Sequence, residues 1–148
     1  MKRVLAVASA GGHWEQMMLL RETLEKFDVR FATTHPDLPR RAGIEGATIL
    51  PDCNRDQIIN SAKCVLAAAW LVLKFRPHVV LSTGAAPGFF CIVFARLIGA
   101  KTLWIDSVAN AERMSMCGNL SRYFSSACIT QWEHLASDGR PGYVGSLL

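Results

Sequence analysis

Six short apolar runs, at residues 4–8, 29–33, 47–50, 79–82, 102–105 and 127–130, recur along the chain with longer stretches of helical periodicity between them. Each run is short for a helix, and the strongest do not alternate with polar residues. That pattern marks strands covered on both faces, as in a parallel sheet. Between the first two runs, Trp14, Met17, Leu20, Leu24 and Phe27 recur at helical spacing, with Arg21, Glu22, Glu25 and Lys26 on the polar side. Residues 57–74 and 89–98 read as apolar helices, the second stopped by Gly99, and 121–124 as a short helix. Residues 35–39 read as a loop. Strict alternation of strand and helix predicts the α/β class and a doubly wound, Rossmann-like parallel sheet.

In such sheets ligands bind outside the carboxyl ends of the strands. Four loops fall there, at residues 9–13, 33–35, 83–88 and 106–110, and are expected to converge on one crevice. The first is Ser9-Ala10-Gly11-Gly12-His13. It lacks the spacing of a dinucleotide fingerprint, and the second strand ends Thr33-Thr34-His35 without a ribose-binding acid. No Gly-Lys-Ser/Thr follows, which excludes a P-loop. Two glycines can simply make a tight turn. With a helix N-terminus behind them they also make an anion site, where backbone amides approach a ligand. His13 supplies a side chain able to act as a base, and Glu15 lies in the first helical turn. The loop at 83–88 repeats the theme with Gly84 and Gly88, stiffened by Pro87. Asp106 ends the fifth apolar run, a place for a catalytic or hydroxyl-binding acid or for a helix-capping one. Trp132, past the last run, is a candidate for binding-site lining or for an interface.

At 148 residues the chain is expected to be one domain, 1–148. Net charge is +4 and the basic residues are scattered, so no nucleic-acid signature is present. Five cysteines, without a CxxC pair, read as small core residues of a reducing compartment rather than disulfides or zinc ligands. No metal and no cofactor are expected. The first strand begins at once, without a secretory leader, and the longest unbroken apolar run, 64–73, is short for a bilayer span. The 61–76 segment carries Val65, Leu66, Trp70, Leu71 and Leu73 between Lys63, Lys74 and Arg76. It reads either as a core helix or as a helix lying on a membrane surface.

Ser9-Ala10-Gly11-Gly12-His13-Trp14-Glu15 with Met17-Met18-Leu19 resembles the opening of the acceptor-side subunits of split UDP-sugar transferases. These include the membrane-anchoring subunit of the dolichol-pathway UDP-N-acetylglucosamine transferase and PssD-type exopolysaccharide subunits. Trp104-Ile105-Asp106-Ser107-Val108-Ala109-Asn110, residues 115–120, Thr130-Gln131-Trp132-Glu133 and Tyr143-Val144-Gly145-Ser146 are similar to the same family. The resemblance implies the N-terminal, acceptor half of a GT-B glycosyltransferase, similar to that of the peptidoglycan lipid-II-forming transferase. It implies a two-component inverting enzyme of exopolysaccharide or capsule synthesis, working on a polyprenyl-diphosphate-linked acceptor, with the UDP-sugar held by a small partner subunit. A non-catalytic scaffold that recruits such a partner to the membrane is the alternative. Ser9, Gly11, Gly12, Glu15, Gly84 and Gly88 would face the acceptor diphosphate. His13 or Asp106 would be the base, with Asp106 standing where eukaryotic members usually carry Glu. Trp132, Tyr143, Leu147 and Leu148 are the candidate partner interface. The eukaryotic subunits begin with an anchor and this sequence begins with a strand, so peripheral attachment to the cytoplasmic face of the inner membrane is expected, through 61–76.

Overall fold

The computed structural model describes residues 1–53 and 56–148. In chain order the elements are β1 (Arg3–Ala8), α1 (Gly12–Leu19), α2 (Arg21–Leu24), β2 (Asp28–Thr33), α3 (Asp37–Arg41), β3 (Thr48–Ile49), α4 (Ile58–Phe75), β4 (Val79–Gly84), α5 (Ala86–Leu97), β5 (Lys101–Ile105), α6 (Met116–Phe124), β6 (Ala127–Thr130), a 3₁₀ turn (Glu133–Leu135) and β7 (Gly142–Tyr143). The strands form one sheet in the order β3-β2-β1-β4-β5-β6-β7. All its pairings are parallel, as the strand–helix alternation predicts.

Side chains alternate across a strand, and β1 feeds two cores in this way. Leu5 and Val7 join Leu71, Val72, Val80, Ile92 and Trp104 on the face covered by α4, α5 and α6. Val4, Ala6 and Ala8 join Trp14, Met17, Phe31, Leu81 and Ile105 on the face covered by α1. This two-sided burial is why the run at 4–8 shows no polar alternation. Each fully buried Leu or Val contributes roughly 1.5–3 kcal/mol of transfer free energy.

Several boundaries differ from the sequence expectation. The single helix read over 14–27 breaks at Leu20 into α1 and α2, and Phe27 lies beyond both. The apolar period survives the break because α2 turns Leu24 back onto the same core. Residues 35–39, read as a loop, run into α3. Pro39 occupies its third position, where a helix has no use for an amide hydrogen. The helix read at 121–124 begins at Met116, because Ser115 caps it by accepting a hydrogen bond from the Gly118 amide at 2.9 Å. β7 is a two-residue edge strand with no apolar run to announce it.

The core-helix reading of residues 61–76 holds for one side of α4, and the other side is apolar and exposed. Cys64, Ala68, Leu71 and Val72 pack inward, while Ile59, Leu66, Trp70 and Leu73 are exposed on the opposite side. With 18 residues and a mean hydropathy of 1.6, α4 is long and apolar enough to cross a membrane. Its buried stripe nonetheless makes it a structural member of this fold.

Candidate functional site

The expected convergence of loops is present at the carboxyl ends of β1, β2, β4 and β5. The Ser9 amide donates to the Gly84 carbonyl at 2.9 Å, and Ser9 Oγ accepts from the Ala85 amide at 3.2 Å. The Ala10 amide donates to Thr34 Oγ1 at 3.1 Å, which ties in the loop after β2. Beside these loops opens a cavity of about 350 Å³. Gly12 and His13 line it from the first loop, Ala85 from the second, Ser107 and Asn110 from the loop after β5, and Ser115 and Met116 from the start of α6.

His13 is held at both ends by Thr83. Its Nδ1 lies 2.8 Å from the Thr83 carbonyl, and Thr83 Oγ1 donates to the His13 carbonyl at 2.6 Å. A carbonyl oxygen only accepts, so Nδ1 carries the hydrogen and the neutral ring keeps a bare lone pair on Nε2. The backbone geometry behind this clamp is a register shift. Val7 pairs with Ser82 but Ala8 pairs with Gly84, leaving Thr83 as an extra residue on β4. Bulges of this kind re-aim groups at strand ends.

Gly84 is demanded by the same arrangement. Its φ is +121°, and a Cβ there would lie 2.4 Å from His13 Nδ1. Gly84→Ala is therefore expected to lower stability by about 1–3 kcal/mol and to displace the imidazole. A urea unfolding curve and the ring ¹⁵N chemical shifts of His13 check both effects. Gly12 differs, because its backbone is ordinary and an added Cβ would meet nothing within 4 Å. The folded chain itself has no need of glycine there. Gly11, at φ +78°, makes the turn, and among the described residues no side chain caps the α1 N-terminus. The remaining candidates divide clearly. Glu15 is exposed on the first turn of α1, whereas Gly88 is buried, with its bare α-carbon set against Ser82.

Asp106 is 1% exposed, and its carboxylate is already occupied. Oδ1 accepts from Trp104 Nε1 at 3.0 Å and Ser115 Oγ at 2.6 Å. Oδ2 accepts from the Ser115 amide at 2.9 Å and Asn110 Nδ2 at 3.3 Å. These four donors gather the strand end, the loop and the α6 cap around one anion. The tight approach of Gly118 completes the packing, since a Cβ there would lie 2.5 Å from Oδ1. Nearby, burial and the Asp106 carboxylate push the Cys128 thiol up to about 12, so it stays neutral and is no nucleophile.

The candidate interface residues also separate. The Trp132 indole donates to the Val108 carbonyl at 2.7 Å, which ties it to the cleft loop. Leu147 is half-buried against the β1 core, while Tyr143 and Leu148 are exposed. The sequence reading missed two supports, Gln16 and Gln131, both buried. A signal was present: Gln16 is a polar residue within the apolar stripe of α1, and Gln131 follows a buried strand directly.

The sequence pattern of the family described as "Oligosaccharide biosynthesis protein Alg14 like" matches residues 52–147. The chain belongs to this Alg14-like family. An ALG14 subunit of UDP-N-acetylglucosamine transferase from Yarrowia lipolytica is 25% identical over 175 residues, covering 99% of this chain and 81% of that protein. A Candida albicans protein of the same description is 32% identical over 90 residues, covering 56% and 41% respectively. Among solved structures, Acinetobacter baumannii MurG superposes with a TM-score of 0.75 at 14% identity, over 99% of this chain and 46% of that one. A Listeria monocytogenes protein described as a putative UDP-N-acetylglucosamine 2-epimerase gives 0.69 at 15% identity, over 87% and 38%. The Alg14-like chain thus has the fold of roughly half of these longer molecules, in agreement with the Rossmann-like GT-B half implied by its sequence.

Proposed function

We propose that this Alg14-like chain is the acceptor-side subunit of a two-component inverting glycosyltransferase. A separate chain holds the UDP-sugar, and the acceptor is a polyprenyl-diphosphate-linked sugar. The observation that carries the reading is His13, clamped through Nδ1 to Thr83 with Nε2 bare, on the first turn of α1 at the edge of the cavity. The free amides of the α1 N-terminus would receive the acceptor diphosphate, and the open space over Gly12 lets it approach. Nε2 would take the proton from the acceptor hydroxyl as its oxygen bonds to the anomeric carbon. The bond from that carbon to the UDP β-phosphate oxygen breaks in the same displacement. UDP leaves with the electron pair and the anomeric configuration inverts. Asp106, with four donors on its carboxylate, is assigned to positioning the loop and the α6 cap rather than to proton transfer.

Two further observations support the reading. Relatives named as UDP-N-acetylglucosamine transferase subunits favour UDP-N-acetylglucosamine as donor, and a surface-glycan acceptor is proposed from the sequence's own resemblance to exopolysaccharide subunits. The exposed face of α4 would lie on the cytoplasmic membrane surface, where Lys74 stacks over Trp70 at 4.4 Å at the polar boundary. That face also supports a second reading, a non-catalytic scaffold that brings a catalytic chain to the membrane.

The test is reconstitution on anionic phospholipid vesicles that carry polyprenyl-diphosphate-N-acetylglucosamine. The chain co-purified with its nucleotide-sugar partner is expected to transfer radiolabelled N-acetylglucosamine from the UDP-sugar, and each chain alone is not. Transfer by the partner alone at the rate of the pair would overturn the acceptor-side assignment.

A further inference from the structure

Two buried carboxamides join the cleft to the last residues of the chain. Gln131 and Gln16 are 4% and 5% exposed. Gln131 Nε2 donates to Gln16 Oε1 at 2.5 Å and to the Asp106 carbonyl at 2.9 Å. Gln131 Oε1 accepts from the Leu147 amide at 2.9 Å and from Ser146 Oγ at 3.3 Å. Gln16 Nε2 donates to Ser107 Oγ at 2.9 Å and to the Gly12 carbonyl at 3.3 Å, and its Oε1 also accepts from the Val108 amide at 3.1 Å. Both donor hydrogens and both acceptor lone pairs of each amide are used. Neither amide can flip, because a flip of Gln131 would set its N–H groups against the Leu147 amide. The relay therefore has one orientation. It begins at residues 146–147 and ends at Gly12, which precedes His13, and at Val108 in the loop after β5.

We infer that Gln131 is a positioning residue through which the placement of residues 146–147 is read in the acceptor cleft. The inference rests on the acceptor-side reading above and adds a means of control to that site. A chain docking on the neighbouring exposed residues Tyr143, Val144 and Leu148 would fix residues 146–147, and through Gln131 and Gln16 would fix the 106–110 loop and the His13 turn. Partner binding and acceptor binding then become linked, with each favouring the other.

Two arms test this. In the first, amide hydrogen exchange is measured on the unpartnered chain for Leu147→Pro, which deletes the donor at the far end of the relay, and for Gln131→Met. Both are expected to speed exchange at Val108, Ala109 and Asn110 by about tenfold or more, while the β1 and β4 amides keep their protection. Unchanged exchange at those three amides in Leu147→Pro overturns the coupling, and this variant serves alone if Gln131→Met does not fold. In the second arm, the paired enzyme with Gln131→Met is expected to show an acceptor KM raised about tenfold with the KM for UDP-N-acetylglucosamine unchanged. Equal rises in both constants, or a lowered melting temperature with neither constant changed, assign Gln131 to structure alone. Because the first arm needs no sugar transfer, the loss of the proposed function and the loss of the relay are read separately.

Discussion

Replacing His13 with alanine is expected to lower the turnover of the proposed two-chain enzyme by about 10²–10⁴-fold, the range supplied by a positioned general base. The two chains are expected still to co-purify. The Thr83 carbonyl fixes the Nδ1 hydrogen, so the ring offers only Nε2 to the cleft. Alanine removes that lone pair and leaves the surrounding backbone bonds, including Ser9 to Gly84, untouched. The loss therefore falls on kcat, with the acceptor KM little changed. His13→Gln is the informative companion, because it retains a donor for Thr83 and supplies no base; it is expected to be as slow as alanine. Near-normal transfer by both variants would leave the scaffold reading in place and remove His13 from the mechanism.

Asp106→Ala produces the largest expected loss of stability, about 3–5 kcal/mol, measured as a fall in the urea midpoint at constant m value. Four donors lose their acceptor at once, and the Trp104 indole among them is too deeply buried to find water. Asp106→Asn costs less, about 1–2 kcal/mol, because one oxygen remains to accept while the amide nitrogen faces donors. Together with His13→Ala, which is expected to move the midpoint little, these variants separate positioning from chemistry. An Asp106→Asn enzyme with wild-type stability and no activity would reverse the assignment and make Asp106 the base.

The alternation of apolar runs was enough to read the parallel sheet and the meeting of its loops, because two-sided burial writes itself directly into strands such as 4–8 and 79–82. The glycine turn and His13 were legible for the same reason, since local spacing places them at a strand end. What holds them was not. The extra residue at Thr83 is a property of two strands in register, and neither strand displays it alone. The saturation of Asp106 depends on Ser115 and Asn110, which reach it only when the loop closes on α6. The break of the 14–27 helix at Leu20 was hidden because both pieces keep the same apolar period. Gly88 looked like its neighbour Gly84 in sequence, yet its missing side chain makes room for Ser82 instead.

The central place of β1 between β2 and β4 has a consequence for how the molecule comes into being. His13 and the residue that orients it are 70 positions apart in the chain. During synthesis the first strand must wait without its inner neighbour until β4 has left the ribosome. Closing a loop of that length comes before any reward from the contacts it permits. The glycine turn is thus made well before the strand that orients its histidine, which follows 70 positions later. Truncated chains that end before β4 are born with an apolar strand exposed along one edge and with His13 unheld, a form suited to chaperone capture.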